Sequence, residues 1–142
     1  LVLKKVEEEI KKRNKLTSLY RQLLSDIPGI TFNRDIAGVT HNYSYFAIRV
    51  NPDEYGLNRD QLFLKLQEYN IICRKFFFPL CSNFECYRNL SSASKSNLPV
   101  ANRVADSVLT LPLHGSLNTT DIEKVCDIIR KIQQKSFNNK KN

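Results

Sequence analysis

A mixed α/β fold, one small sheet with helices layered on it, is what this chain predicts. Apolar residues recur alternately at helical and at strand spacing, in the order helix, strand, helix, strand, helix, strand, helix. The 142 residues, 42% hydrophobic and 25% charged, suffice for one buried core but are tight for two. No sequence repeat divides the chain.

The first element is a long amphipathic helix. Leu3, Val6, Ile10, Thr17, Tyr20, Leu24 and Ile27 follow three-and-four spacing, with Leu16, Leu19 and Leu23 beside them, and Pro28-Gly29 stops the pattern. Its apolar stripe needs more cover than a lone domain supplies, so it is expected to be poorly buried and to drive self-association. Ile30 to Phe32 suggests a short strand. His41 to Val50 is a stronger one, with Phe46, Ile48 and Val50 on the core face and Tyr43, Tyr45, Ala47 and Arg49 opposite.

Asn51-Pro52-Asp53 ends that strand, and Asn58 with Gln61 three residues on reads as a capping box opening a helix to about Tyr69. Ile71 to Phe78 is expected as the next strand, its Phe76-Phe77-Phe78 run reading as core covered from both sides. Pro79 to Leu98 lacks periodicity, and a loop of that length is usually functional or disordered. Pro99 suits a first helical position, with Val100, Val104 and Ala105 facing inward. Val108 to Leu113 is a strand, and Thr120 with Glu123 reads as a capping box for a last helix buried through Ile122, Val125, Cys126, Ile129 and Ile132.

A net charge of +8 raises nucleic-acid binding, but the charges are dispersed. Lys11 and Lys12 stand four residues after Glu7 and Glu8, the spacing of helix ion pairs, and Lys135, Lys140 and Lys141 lie in an asparagine-rich tail. No recognisable reading motif accompanies them. Cys73, Cys81, Cys86 and Cys126 lack zinc-ligand spacing, and His41 and His114 stand alone, so free thiols with Cys73 and Cys126 buried are expected and no metal. No apolar run is long enough for a membrane span, and Lys4, Lys5 and three glutamates follow Leu3 at once, unlike a signal peptide. A cytoplasmic protein is expected. The absence of methionine, even at position 1, suggests a longer polypeptide upstream.

The single glycines form no phosphate-cradling loop, and no nucleophile elbow or helical histidine pair is present. Five segments in order instead carry a resemblance: His41-Asn-Tyr-Ser-Tyr-Phe, Asn58-Arg-Asp-Gln-Leu, Ile72-Cys-Arg-Lys-Phe-Phe-Phe-Pro-Leu-Cys, Cys86-Tyr, and Leu98-Pro-Val-Ala through Leu111-Pro-Leu-His114. Together they resemble the C-terminal region of the DegT/DnrJ/EryC1/StrS sugar aminotransferases. Many members read Pro-Leu-His where Pro79-Leu80-Cys81 stands here.

The resemblance implies a small antiparallel three-stranded sheet flanked by helices, as in the small domain of fold-type I aminotransferases. It implies one such domain over residues 1–137, with 1–27 linking to a pyridoxal-phosphate domain not included here and 138–142 as a frayed tail. The whole enzyme would be a homodimer moving an amino group, from glutamate, to a nucleotide-linked keto-deoxysugar. No catalytic and no cofactor-binding residue is assignable in this stretch, so the chain alone is expected to bind no pyridoxal phosphate and to be inactive. The resemblance places Arg74, Phe78, Cys81 and Tyr87 at the substrate-binding edge, with Arg74 equally readable as a solvated strand arginine and His114 as a turn residue. A rival reading is a stand-alone basic module for an anionic partner such as RNA, working through its lysines and aromatic sheet face.

Overall fold

The computed structural model describes residues 2–138, with side chains from residue 4 onward. Leu3's place in the first apolar stripe and the tail beyond Asn138 lie outside the described residues.

A turn of 3-10 helix at Val2–Lys5 leads into α1 (Val6–Leu24). The strands β1 (Ile30–Phe32), β2 (Phe46–Val50) and β3 (Val108–Leu111) form one antiparallel sheet in that order. Ile30 stands opposite Val50, Phe46 opposite Leu111 and Ile48 opposite Leu109. Between β2 and β3 lie α2 (Pro52–Tyr55), α3 (Arg59–Glu68) and α4 (Pro99–Ser107), and α5 (Thr119–Asn138) follows.

The strand expected over His41 to Val50 forms only from Phe46, residues 41–45 staying irregular with Tyr43 at φ +49°, but within Phe46–Val50 the alternation holds. Phe46, Ile48 and Val50 are buried, Ala47 is half-buried and Arg49 exposed, because successive side chains of a strand point to opposite faces. That apolar face packs in one cluster with Leu16, Tyr20 and Leu24 of α1, Leu62 and Leu66 of α3, and Ile122 and Ile129 of α5. Helix α1 is thus covered within the chain over its C-terminal half, while its N-terminal half, with Val6 exposed, is not. The expectation of a poorly buried first helix holds only for those first turns. The ion pair on its surface runs from Lys12 to Glu9 at 3.2 Å, the residue next to the Glu8 that the spacing suggested.

Polar ties lock α5 to the turn after α1. Arg130 pairs with Asp26 at 2.9 Å and donates to the Leu23 carbonyl, and Gln133 donates to the Pro28 carbonyl at 2.7 Å. The buried Tyr55 hydroxyl donates to the Ile129 carbonyl at 2.7 Å. Burial raises the Tyr55 pKa above the ordinary phenol range. Gly29 has φ +78°, and a Cβ there would collide with the Tyr55 backbone nitrogen, so the turn needs glycine twice over.

The helix starts divide. Asn58 and Gln61 cap α3 reciprocally, and Pro99 stands at the start of α4. The box on α5 is Asn118 with Asp121, two residues before the expected Thr120 with Glu123. The apolar neighbours explain the shift: Leu117 before the cap and Ile122 after it both join the core, the positions of a hydrophobic staple, whereas a cap at Thr120 would put Lys124 there.

The expected strand Ile71–Phe78 does not form. Ile71 and Cys73 are buried and Ile72 is 81% exposed, but the sheet takes only one bridge from this segment, Arg74 to Thr110. That pair exchanges both backbone bonds, at 3.2 and 2.9 Å, so the next ladder pairs would be Ile72 with Pro112 and Phe76 with Val108. Pro112 has no N–H to give. The Val108 N–H goes to Val104 at the end of α4, and its carbonyl accepts from Arg59 at 2.9 Å. With both directions closed, Lys75 to Phe78 turns away from the sheet, and Phe77 and Phe78 are exposed rather than covered.

Candidate functional site

The closed edge at Arg74 opens a cleft. Its floor is the apolar end of β3 and the inner face of α5, with Ile71, Leu113 and Val125 among its walls, and its volume is about 690 Å³. Arg74, His114 and Lys124 reach it from three different elements, beside Tyr45 and Tyr69. The Arg74 backbone is fixed by the Thr110 N–H and by the Thr110 hydroxyl, which donates to its carbonyl at 3.0 Å, while its side chain is exposed. Asp121, the nearby acid, is engaged by the Asn118 N–H at 3.0 Å. The rim therefore presents cationic donors over an apolar floor, which suits a ligand with an anionic end and a flat or apolar body.

Behind this cleft the chemistry is quiet. Tyr20 stacks on Phe46 at 4.7 Å and donates to the Pro112 carbonyl at 3.0 Å, and burial lifts its phenol above the ordinary range. Burial also pushes the Cys73 and Cys126 thiols up to about 12, which makes them neutral packing groups rather than nucleophiles.

Beyond Arg74 an aromatic ledge continues the edge. Tyr45 and Phe76 lie 4.5 Å apart between ring centroids, and Phe76 and Phe77 stack at 3.9 Å. Phe78 turns the other way, under the Arg59 guanidinium at 5.0 Å. Cys81 opens a 3-10 turn at Cys81–Asn83, and Tyr87 closes a turn on the Phe84 carbonyl at 2.9 Å; both are exposed. Of the four residues expected at a substrate edge, Arg74 lines the cleft and Phe78, Cys81 and Tyr87 do not. Lys124 and Tyr69 were missed because each reads as a solvated helix position. Lys124 could have been found from the correct α5 cap, which puts it one turn after Asp121 on the same side.

A second hollow, about 260 Å³, lies between α1 and the β1–β2 connection. Arg21 donates to Asp35 at 2.7 Å and the Tyr43 hydroxyl to the same carboxylate at 3.0 Å; the arginine, then the tyrosine, hold Asp35 down to about 2. His41 accepts the Ile36 N–H on Nε2 at 3.2 Å.

Pyridoxal phosphate needs a phosphate seat, and helix N-termini are the usual ones. Those of α3 and α5 are occupied by their own caps, α4 starts with proline and lacks that N–H, and α1 starts with Glu7, Glu8 and Glu9. The described residues do not fit the cofactor.

Comparisons with known proteins bear on the fold and the family. The chain is 45% identical over 127 residues to the dTDP-4-amino-4,6-dideoxy-D-glucose transaminase of Escherichia coli, covering 89% of this chain and 34% of that protein. It is 32% identical over 136 residues to the UDP-4-amino-4-deoxy-L-arabinose–oxoglutarate aminotransferase of Shewanella sediminis, covering 92% and 34%. The crystal structure of DesI in the presence of its TDP-sugar product superposes with a TM-score of 0.84 at 27% identity, over 92% of this chain and 33% of that one. The chain thus spans about a third of the length of the relatives it matches. With its sheet and helices matching those of DesI, and the profile of the DegT/DnrJ/EryC1/StrS aminotransferase family matching residues 2–130, this chain belongs to that family.

Proposed function

We propose that this chain is the small domain of a cytoplasmic, pyridoxal-phosphate-dependent aminotransferase that passes an amino group from glutamate to a keto-deoxysugar carried on a nucleotide. The observation that carries this reading is the cationic, aromatic-edged cleft at Arg74 in a chain of this family. The relatives' names support the substrate class, and the oxoglutarate in one of them is the keto acid that glutamate leaves behind. The cofactor, when bound, would supply the electron sink for the transfer, held by the rest of a longer polypeptide that pairs as a homodimer. Residues 1–27 join the two parts, Arg74 faces the substrate from the cleft, and the Phe78–Tyr87 stretch, outside the cleft in this chain, meets it only along the edge shared with the rest of the enzyme.

Arg74 offers a planar donor fork to a phosphate or carboxylate, and its backbone tie to Thr110 keeps that fork at the edge. The ledge of Tyr45, Phe76 and Phe77 offers a flat apolar surface beside it. In the longer polypeptide, Arg74→Ala raises KM for the nucleotide sugar about tenfold or more, the worth of one charge-assisted contact, and leaves cofactor absorbance unchanged. Unchanged kinetics remove Arg74 from the site. The chain alone, titrated with pyridoxal phosphate and reduced with borohydride, acquires no single stoichiometric lysine adduct; such an adduct with turnover would overturn the division of labour. The RNA reading rests on the dispersed net charge and the exposed aromatics, without the family membership that supports the sugar reading.

A further inference from the structure

Arg59 is the first residue of α3, a position where an arginine usually points to water, yet it is 2% exposed. Its Nη1 donates to the Ala105 and Val108 carbonyls, both at 2.9 Å, and its Nε to Asp60 at 2.7 Å. Its guanidinium lies 5.0 Å from the centre of the Phe78 ring. Lys75 completes the arrangement from the other side, 2.6 Å from Asp60 and over the rings of Phe63 and Phe78 at 5.0 and 5.6 Å. One side chain thereby joins the end of α4, the start of β3, the start of α3 and the segment that leaves the sheet after Arg74.

The Val108 carbonyl is the acceptor that a Phe76 N–H would need to extend the sheet past Arg74. A buried carbonyl must be paired, and here the arginine pairs it. An ordinary strand continuation would lay Phe76 against Val108, the first residue of β3, and dissolve the ledge on Tyr45.

We propose that Arg59 is a positioning residue for the substrate-facing edge: it ends the sheet at Arg74 by occupying the Val108 carbonyl and holds Phe78 against its guanidinium, so that Phe76 and Phe77 project beside the cleft. What the edge faces rests on the function proposed above. The positioning itself does not.

The test uses this chain without substrate. Arg59→Lys keeps the charge, but its ammonium ends one bond short of the Nη1 position that serves both carbonyls and has no planar face to lay on Phe78. Amide exchange by NMR is expected to slow at Phe76 by about tenfold as its N–H takes over the Val108 carbonyl, while the junction of α4 and β3 exchanges faster. A merely structural loss only speeds exchange, so slowing at Phe76 is the signature; faster or unchanged exchange there overturns the proposal. Because the chain has no tryptophan, Phe78→Trp supplies a unique reporter. Its anisotropy is expected to be high beside Arg59 and to drop when Arg59→Lys is added, and equal values in both backgrounds overturn the proposal. If Arg59→Lys does not fold, Phe78→Leu decides. It is expected to speed exchange across Leu80–Leu90 about tenfold with Ile48 and Leu109 unchanged, and an unaffected loop overturns the proposal. Loss of nucleotide-sugar use by the longer polypeptide bears on the function alone and leaves these readouts intact.

Discussion

Phe46–Val50 and Phe76–Phe78 are both apolar and aromatic, yet Phe46 is 3% exposed and Phe77 70%. Every residue of the first run pairs with a neighbouring strand, Phe46 to Arg49 with β3 and Ile48 to Val50 with β1. The second follows a bridge of one residue, and the two groups that could extend it, on Pro112 and Val108, are missing or occupied. Hydrophobicity selects residues that can be buried, whereas free backbone partners on the neighbouring strand decide which of them become sheet. What remains outside is an apolar surface with fixed geometry, and that is where a ligand or another domain can use it.

Thiol labelling should give the widest separation between the two regions. Cys81 and Cys86 on the exposed loop react at once with a thiol reagent, and Cys73 and Cys126 react more than about a hundredfold slower, only as the core opens. Their pKa near 12 makes thiolate scarce at pH 8 and widens the gap further. Equal rates for all four would mean the sheet face is not sealed. In urea unfolding, Ile48→Ala, at a fully buried position, is expected to cost about 2–5 kcal/mol. Gly29→Ala, which puts a Cβ against the Tyr55 backbone at positive φ, is expected to cost more than about 1 kcal/mol.

The β1–β2 connection is an intermediate case, irregular but pinned by charge. Asp35 is held near 2, below its unfolded value of about 4, so its contribution is present above pH 4 and is lost as pH falls through 2. Solvent exposure keeps that contribution small. A carbon-detected titration should find the Asp35 midpoint near 2, returning toward 4 in Arg21→Ala; a normal midpoint in the parent breaks the pinning. The smallest effect belongs to Phe77→Ala, expected within about 0.5 kcal/mol of the parent. A loss as large as that of Ile48→Ala would erase the contrast between the two runs.

Features that depend on near neighbours in sequence were legible. The β2 alternation, the Asn58–Gln61 box and the proline opening α4 each stand as read. The α5 cap was legible in principle, since Leu117 and Ile122 flank the true box, but two overlapping box patterns compete there and only the apolar pair distinguishes them. The fate of Ile71–Phe78 was not legible. It turns on the carbonyl of Val108, more than thirty residues away, and on a helix-start arginine that looks solvated in any local window. The cleft was half legible for the same reason: Arg74 sits in a conspicuous segment, while Lys124 becomes its neighbour only through tertiary packing.

The ties between α5 and the turn after α1 join residues 104 positions apart, as in the Arg130–Asp26 pair. Such closure sets the order of folding. Leu16, Tyr20 and Leu24 leave the ribosome well before Ile122 and Ile129, which seal them against the sheet and come last among these packed elements. Local helices can form on the nascent chain, whereas the core that the sheet face shares with α1, α3 and α5 is closed only when α5 docks. Nascent chains arrested before α5 therefore display the apolar sheet face to chaperones, and release of the final helix converts that sticky intermediate into a cooperative domain.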